Sequence, residues 1–427
     1  MTHKALLLVA SLAASLPLGA QAQTPDVDAE LAALANDPRM AEAASVIAAQ
    51  HDQRLQDLVT LTEIPAPPFE ENERAEALAA MMRETGFGPV EIDEAGNVVA
   101  RRVGAVGNRS VAVVAHIDTV FPAGTDVTVT VEGNRYTAPG IGDNTRGAIM
   151  LLELATAIAE AGITTDADLL LIGNVGEEGL GDLSGVRHLY REGADHPDSM
   201  IAIDGGEPQR LVTGAIGSNR YRVTYRGAGG HSWGDFGAGN PHHAAARAIA
   251  LFDERVWPVT QEGDRSSYNI GRMGGGTSVN SIPFESWFEV DMRSGNPERL
   301  AALDEVFQET MQAGLTAENS QIAGGAPLTM EIEAIGQRPA GQGDAEWPLV
   351  RRAIAVLRDD GIEPQTAASS TDANIPISLG VPAITISRCG SGGGAHSPDE
   401  YWIDDEDVVP CTVRGLEIVL LEAGLTD

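Results

Sequence analysis

The chain has 427 residues, a formal net charge of −34 at pH 7 and 43% hydrophobic residues. That length allows two domains, each with its own core, and that hydrophobic share excludes gross disorder. The acidic excess argues against nucleic acid or an anionic membrane as a partner, because it repels phosphates; it suits solubility in a salty medium.

At the N-terminus, Met1-Thr2-His3-Lys4 places one cation before an apolar stretch over 5–20. Ala20-Gln21-Ala22 then fits the small-x-small cleavage pattern of a secretory signal. The run is short for a membrane span, and Pro17 and Gly19 lie near its end. Residues 1–22 therefore read as a signal peptide, and the mature protein is expected to be periplasmic or secreted, with no membrane partner after cleavage. An uncleaved anchor is the alternative.

Residues 28–61 carry helical periodicity, broken by Pro65, Pro67 and Pro68. A second amphipathic helix is expected over 71–85. Strand-like runs follow at 90–92, 98–102, 111–115, 169–172 and 200–203, with a strong helical pattern over 147–161 between two of them. Strands alternating with helices imply a mixed, largely parallel α/β sheet flanked by helices. The pattern changes near Gly214: a strand at 221–225, a helix at 241–256, strands at 267–272 and 286–291, a helix at 297–314 and a strand at 328–335. That β-α-β-β-α-β order is a ferredoxin-like split. The α/β pattern resumes with a helix at 347–360 and a strand at 383–387. The expected division is a catalytic domain from 23–213 and 336–427, with an α+β domain inserted at 214–335.

Five metal-capable side chains sit just past apolar, strand-like runs or in glycine-rich turns. His116 closes the run 111–115, and Asp118 is placed to stand behind it and orient a group at the site. Asp143 lies in Gly140-Ile-Gly-Asp143-Asn-Thr-Arg-Gly147; it could cap a helix, or its two oxygens could bridge two ions. Glu177 and Glu178 are adjacent at a strand end, where they repel unless a cation is near; an exposed acidic turn is the other reading. Asp204 ends the run 200–203, and His396 lies in the loop Gly392-Gly-Gly-Ala-His396-Ser-Pro-Asp-Glu400. So dispersed a set converges only through a folded sheet. Two imidazoles and three carboxylates suit a pair of divalent ions, zinc first, with cobalt and manganese also accepting the set. Glu177 is then spare to take a proton from water. Cys389 and Cys411, the only cysteines, could close a loop of about 20 residues worth about 3 kcal/mol, or be two unrelated buried thiols.

Taken together, His116-x-Asp118, Gly142-Asp143-Asn144, Glu177-Glu178, Asp204 and His396 resemble the M20 family of metallopeptidases and amidohydrolases, from about Leu55 to the C-terminal helix. The resemblance implies a di-zinc exopeptidase-like catalytic domain and an inserted dimerisation or lid domain, hence a homodimer. It implies that Asp143 bridges the ions, that Glu178 and His396 complete one site, and that His116 and Asp204 complete the other. Glu177 would be the general base, Asp118 would tune His116, and a cis peptide would join Asp143 to Asn144. Gly229-Gly-His231-Ser232 resembles the family segment whose histidine reaches a neighbouring subunit's site and stabilises the oxyanion. Asn280-Ser-Ile-Pro283 and Asp291-Met-Arg293 resemble its substrate-binding segments, and Arg293 suits a peptide carboxylate.

The expected activity is exopeptidase hydrolysis of di- or tripeptides, with water activated by metal and Glu177. Asp204 favours this, because several deacylases of the family carry glutamate there. The alternative is an N-acyl-amino-acid amidohydrolase. A non-catalytic binding protein on the same fold should have lost a ligand or the base, and neither is missing.

Overall fold

The computed structural model describes residues 26–426. The expected signal peptide lies outside the described residues. Among these, no helix is long and apolar enough to cross a membrane.

A nine-stranded sheet organises the larger unit. Its order is Val90–Ile92, Val98–Arg102, Asp168–Asn174, Ser110–His116, Ser199–Ile203, Ala383–Ile386, Arg210–Ala215 and Gly341–Gln342, with Gln365–Ser369 also paired to Arg210–Ala215. The four strands from Asp168–Asn174 to Ala383–Ile386 run parallel. Antiparallel pairs flank that centre. Parallel strands need cover on both faces, which is why they read as unbroken apolar runs. Side chains alternate between two cores accordingly: Val111, Val113 and Ala115 join one, and Ala112 and Val114 the other. The helix Gly147–Glu160 is buried almost throughout, consistent with its apolar composition. Each fully buried Leu or Ile there contributes about 1.5–3 kcal/mol.

The second unit is a four-stranded antiparallel sheet in the order Ser266–Gly275, Glu285–Ser294, Gly217–Arg226, Thr329–Arg338. Along Glu285–Ser294 every second residue is buried, so Phe288, Val290 and Met292 face the helices Pro241–Thr260 and Pro297–Asn319. Both helices begin on an asparagine cap, Asn240 or Asn296, followed by proline at the first helical position, where its missing N–H costs nothing. Phe252, Phe288, Phe307 and Tyr225 fill a core separate from that of the larger sheet.

Several elements differ from the sequence reading. The helical stretch 28–61 divides into Val27–Ala35 and Pro38–Thr62, because Asp37 caps a new helix at Pro38. The strand expected to end at 335 continues to Arg338. Short strands at Thr130–Glu132, Arg135–Thr137, Ser391–Gly393 and Tyr401–Ile403 form a small sheet that lacks the apolar run by which strands are recognised. A disulfide joins Cys389 to Cys411 with Cα atoms 5.6 Å apart, tying the loop that carries His396 to the helix Val408–Ala423.

Candidate metal centre

The parallel centre of the sheet delivers the site. His116 is the last residue of its strand, Asp204 directly follows Ser199–Ile203, and Glu177 and Glu178 come three and four residues after Asn174. Parallel strands end on one edge, so these groups emerge together. Asp143 comes from the turn before the helix Gly147–Glu160, and His396 from the loop after Ala383–Ile386.

The side chains meet in two overlapping groups. Ligand atoms of His116, Asp143 and Asp204 lie within 4.8 Å of one another, and so do those of Asp143, Glu178 and His396. Asp143 belongs to both: its Oδ1 is 3.3 Å from His116 Nε2, and its Oδ2 is 3.2 Å from His396 Nε2. His396 Nε2 is also 3.0 Å from Glu178 Oε1. The peptide between Asp143 and Asn144 is cis. Glu177 forms a third group with His116 and Glu178, beside the shared carboxylate. Two imidazoles and hard carboxylate oxygens, gathered this closely, fit a pair of divalent ions.

Asp118 is fully buried and does more than stand behind His116. Its two carboxylate oxygens accept the backbone N–H groups of Glu177 at 3.0 Å and of Glu178 at 2.7 Å. His116 Nδ1 lies 3.1 Å from the Asp118 carbonyl oxygen, whereas Oδ1 is 3.6 Å away, too far for a hydrogen bond. Asp118 thus orients both adjacent glutamates.

The electrostatics reflect crowded carboxylates. Burial opposes protonation of His116, but Asp118 and Asp143 outweigh it and hold the imidazole pKa well above its usual value. Hydrogen bonds to Asp143 and Glu178 push His396 up to about 10. Burial raises Asp143, yet His116 and His396 bring it below the usual carboxylate range. Burial and then the charge of Asp143 raise Asp204. Burial raises Glu177 well above its ordinary value, against the pull of Arg338 and His116.

Arg338, Asn174 and Arg74 had no functional signal of their own in the sequence, whereas Asp372 lies in the stretch Ser370-Thr-Asp372-Ala-Asn374, whose place before the last core strand suggests a part in shaping the pocket. Arg338 Nη1 reaches Glu177 Oε1 at 2.8 Å and Ser370 Oγ at 3.0 Å, and Nη2 donates to the Glu177 carbonyl. Asn174 donates to Asp372 at 2.9 Å, and burial lifts the Asp372 carboxyl to about 7. Arg74, also buried, donates to the carbonyl of Ile117, between His116 and Asp118. Arg338 follows a glutamine on a strand of the other unit; only its place before Pro339 at the return to the larger sheet could have drawn attention.

His231, Asn280 and Arg293 lie in the second unit, and among the described residues no hydrogen bond or ion pair joins them to this cluster. His231 is exposed, with Nδ1 3.2 Å from the N–H groups of Trp233 and Gly234. The Asn280 carbonyl accepts from Ser232 N at 3.0 Å. Arg293 pairs with Asp291 at 2.7 Å.

The model of peptidase family M20/M25/M40 matches residues 112–420. Carboxypeptidase G2 of Pseudomonas sp. (strain RS-16) is 24% identical over 343 residues, 77% of this chain and 78% of that protein. Succinyl-diaminopimelate desuccinylase of Corynebacterium glutamicum is 26% identical over 259 residues, 59% and 69% of the two chains. The fold resembles the crystal structure of a tripeptidase from Staphylococcus aureus with a TM-score of 0.69 at 21% identity, covering 87% of this chain and 98% of that one.

Proposed function

The chain belongs to peptidase family M20/M25/M40, and from that premise we propose that it is an exported, two-metal exopeptidase acting on di- or tripeptides. The observation that carries this reading is the sharing of Asp143 between two ligand groups with Glu177 left beside them. His116 and Asp204 would hold one ion, Glu178 and His396 the other, and Asp143 both. Zinc fits these donors first, with cobalt or manganese as substitutes. Bound there, the ions would polarise the scissile carbonyl and lower the pKa of water.

The chain's own groups supply the rest. Glu177 accepts the proton of the attacking water and returns it to the leaving amine. Its buried position raises its basicity, and Arg338 fixes its orientation. Asp118 holds the backbone of Glu177 and Glu178, so base and ligand keep their spacing. The smaller unit, expected over 214–335 and running from Gly217 to Arg338 in the structure, serves as lid and dimerisation domain. There His231 reaches a neighbouring subunit's site, and Asn280 and Arg293 bind substrate. The exposed Trp233 and Phe236 beside His231 support a covered surface in the dimer.

Removal of an N-acyl group from an amino acid is the second reading, favoured by the similarity to a desuccinylase. The deciding assay is amine release by zinc-loaded protein from a free tripeptide, its N-acetylated form and its C-amidated form. Cleavage lost only on N-acetylation assigns an aminopeptidase. Cleavage lost only on amidation assigns a carboxypeptidase with Arg293 as the clamp. Release of acetate replaces the peptidase reading with the deacylase one, and no hydrolysis of any of the three refutes both.

A further inference from the structure

Glu400 belongs to neither ligand group, yet it holds the turn that carries Asp143. Its Oε2 accepts from Gly140 N at 3.0 Å, and its Oε1 accepts from Gly142 N at 2.9 Å and Asp143 N at 2.7 Å. The residue is 1% exposed. Its own backbone is fixed as well: its N–H donates to Ser397 O at 3.1 Å, and its carbonyl accepts from Ala138 N at 3.0 Å.

The approach is close enough to dictate sequence. A Cβ on Gly142 would meet Glu400 Oε1 at 3.0 Å and Arg388 Nη2 at 2.9 Å. Residue 142 is therefore glycine because a carboxylate and a guanidinium press against the turn. Arg388, itself buried, is the cation beside that carboxylate.

Glu400 and His396 share one loop. That loop thus contributes a ligand and also grips the backbone of the ligand common to both groups. Any slack at Asp143 N moves a carboxylate that must reach His116 on one side and His396 on the other. We propose that Glu400 is the positioning residue that sets the bridging Asp143, an inference resting on the two-ion reading. Its loss should weaken both ions together, whereas loss of His396 should weaken mainly one.

The test uses full-length protein and zinc alone, with affinities from competition against a chromophoric chelator and melting curves of the metal-free forms. Wild type should hold two ions; fewer than two overturns the two-ion reading itself. Glu400→Gln can satisfy the three donors from only one oxygen, and Glu400→Asp keeps the charge but withdraws it by one carbon. With wild type holding two ions, both variants should lose about 10- to 100-fold in affinity for both ions, while the metal-free forms, melting lower because three buried N–H groups lose part of their acceptor, still unfold in one cooperative transition. Unchanged affinity, or weakening of one ion alone, overturns the inference. Metal-free variants that no longer unfold cooperatively also overturn it, since Glu400 would then be only structural. If Glu400→Gln does not fold, Glu400→Asp decides by the same criteria.

Discussion

Arg338 Nη1 donates to Glu177 Oε1 at 2.8 Å, with side chains only 5% and 6% exposed. Arg338 is the last residue of a strand from the smaller unit, and Glu177 stands at the metal-capable cluster of the larger one. The two units are thus joined through the proposed base itself. Breaking one side of a buried pair costs about 3–5 kcal/mol, because the remaining charge is left uncompensated. Arg338→Met should therefore lower the melting temperature and reduce kcat, and Arg338→Lys should recover only part of each, lacking the second donor to the Glu177 carbonyl. Steady-state kinetics with thermal melts measure both; a Met variant equal to wild type would refute the coupling.

Glu177→Gln should keep its zinc and lose about 10²- to 10⁴-fold in kcat, the range expected of a general base. Zinc content by elemental analysis separates this from ligand loss. Near-normal turnover would remove Glu177 from the mechanism.

Removal of metal should abolish amide hydrolysis and destabilise the fold. A ligand that binds only the native state at 100 times its Kd stabilises by about 2.7 kcal/mol, and two such ions by more. Dialysis against a chelator, followed by differential scanning calorimetry with and without added zinc, gives the shift. A melting temperature indifferent to zinc would contradict the assigned ligand set.

A pH effect far from the centre is expected at Glu417, on the helix Val408–Ala423. Burial, then Asp360 and Asp359, lift its carboxyl from 4.5 to about 7. The folded state therefore holds this proton more tightly than the unfolded chain. The resulting stability is complete below pH 4.5 and is lost as pH rises through about 7. Discounted for partial exposure, the loss is about 1–2 kcal/mol. Glu417→Gln should be more stable than wild type by that amount at pH 8, and the gap should close at pH 4. Parallel urea melts at the two pH values check the sign.

What could be read from sequence follows from distance along the chain. His116 and Asp204 announce themselves because each directly follows an apolar strand, and the parallel order of those strands places their ends on one edge. Arg338 does not, since it stands 161 residues from Glu177 and its own neighbourhood is an ordinary exposed strand. The second hydrogen-bonding role of Asp118, toward Glu177 and Glu178, was hidden for the same reason. The spacing of Cys389 and Cys411 allowed a disulfide without requiring one; packing of the last loop against the final helix decides it. The break at Pro38 was readable from Asp37-Pro38, but the helical periodicity on either side masked it.

The wide separation of the proposed ligands also bears on how the protein matures. His396 and Glu178 are 218 residues apart, yet their side chains touch. A growing chain that has produced His116, Asp143, Glu178 and Asp204 still lacks the strand Ala383–Ile386 that closes the parallel centre beside Ser199–Ile203. The shared-carboxylate pocket therefore cannot be completed until the last quarter of the chain has docked. In the proposed two-ion arrangement, the ion assigned to Glu178 and His396 would be fully ligated only after that docking, so its retention would report a finished molecule.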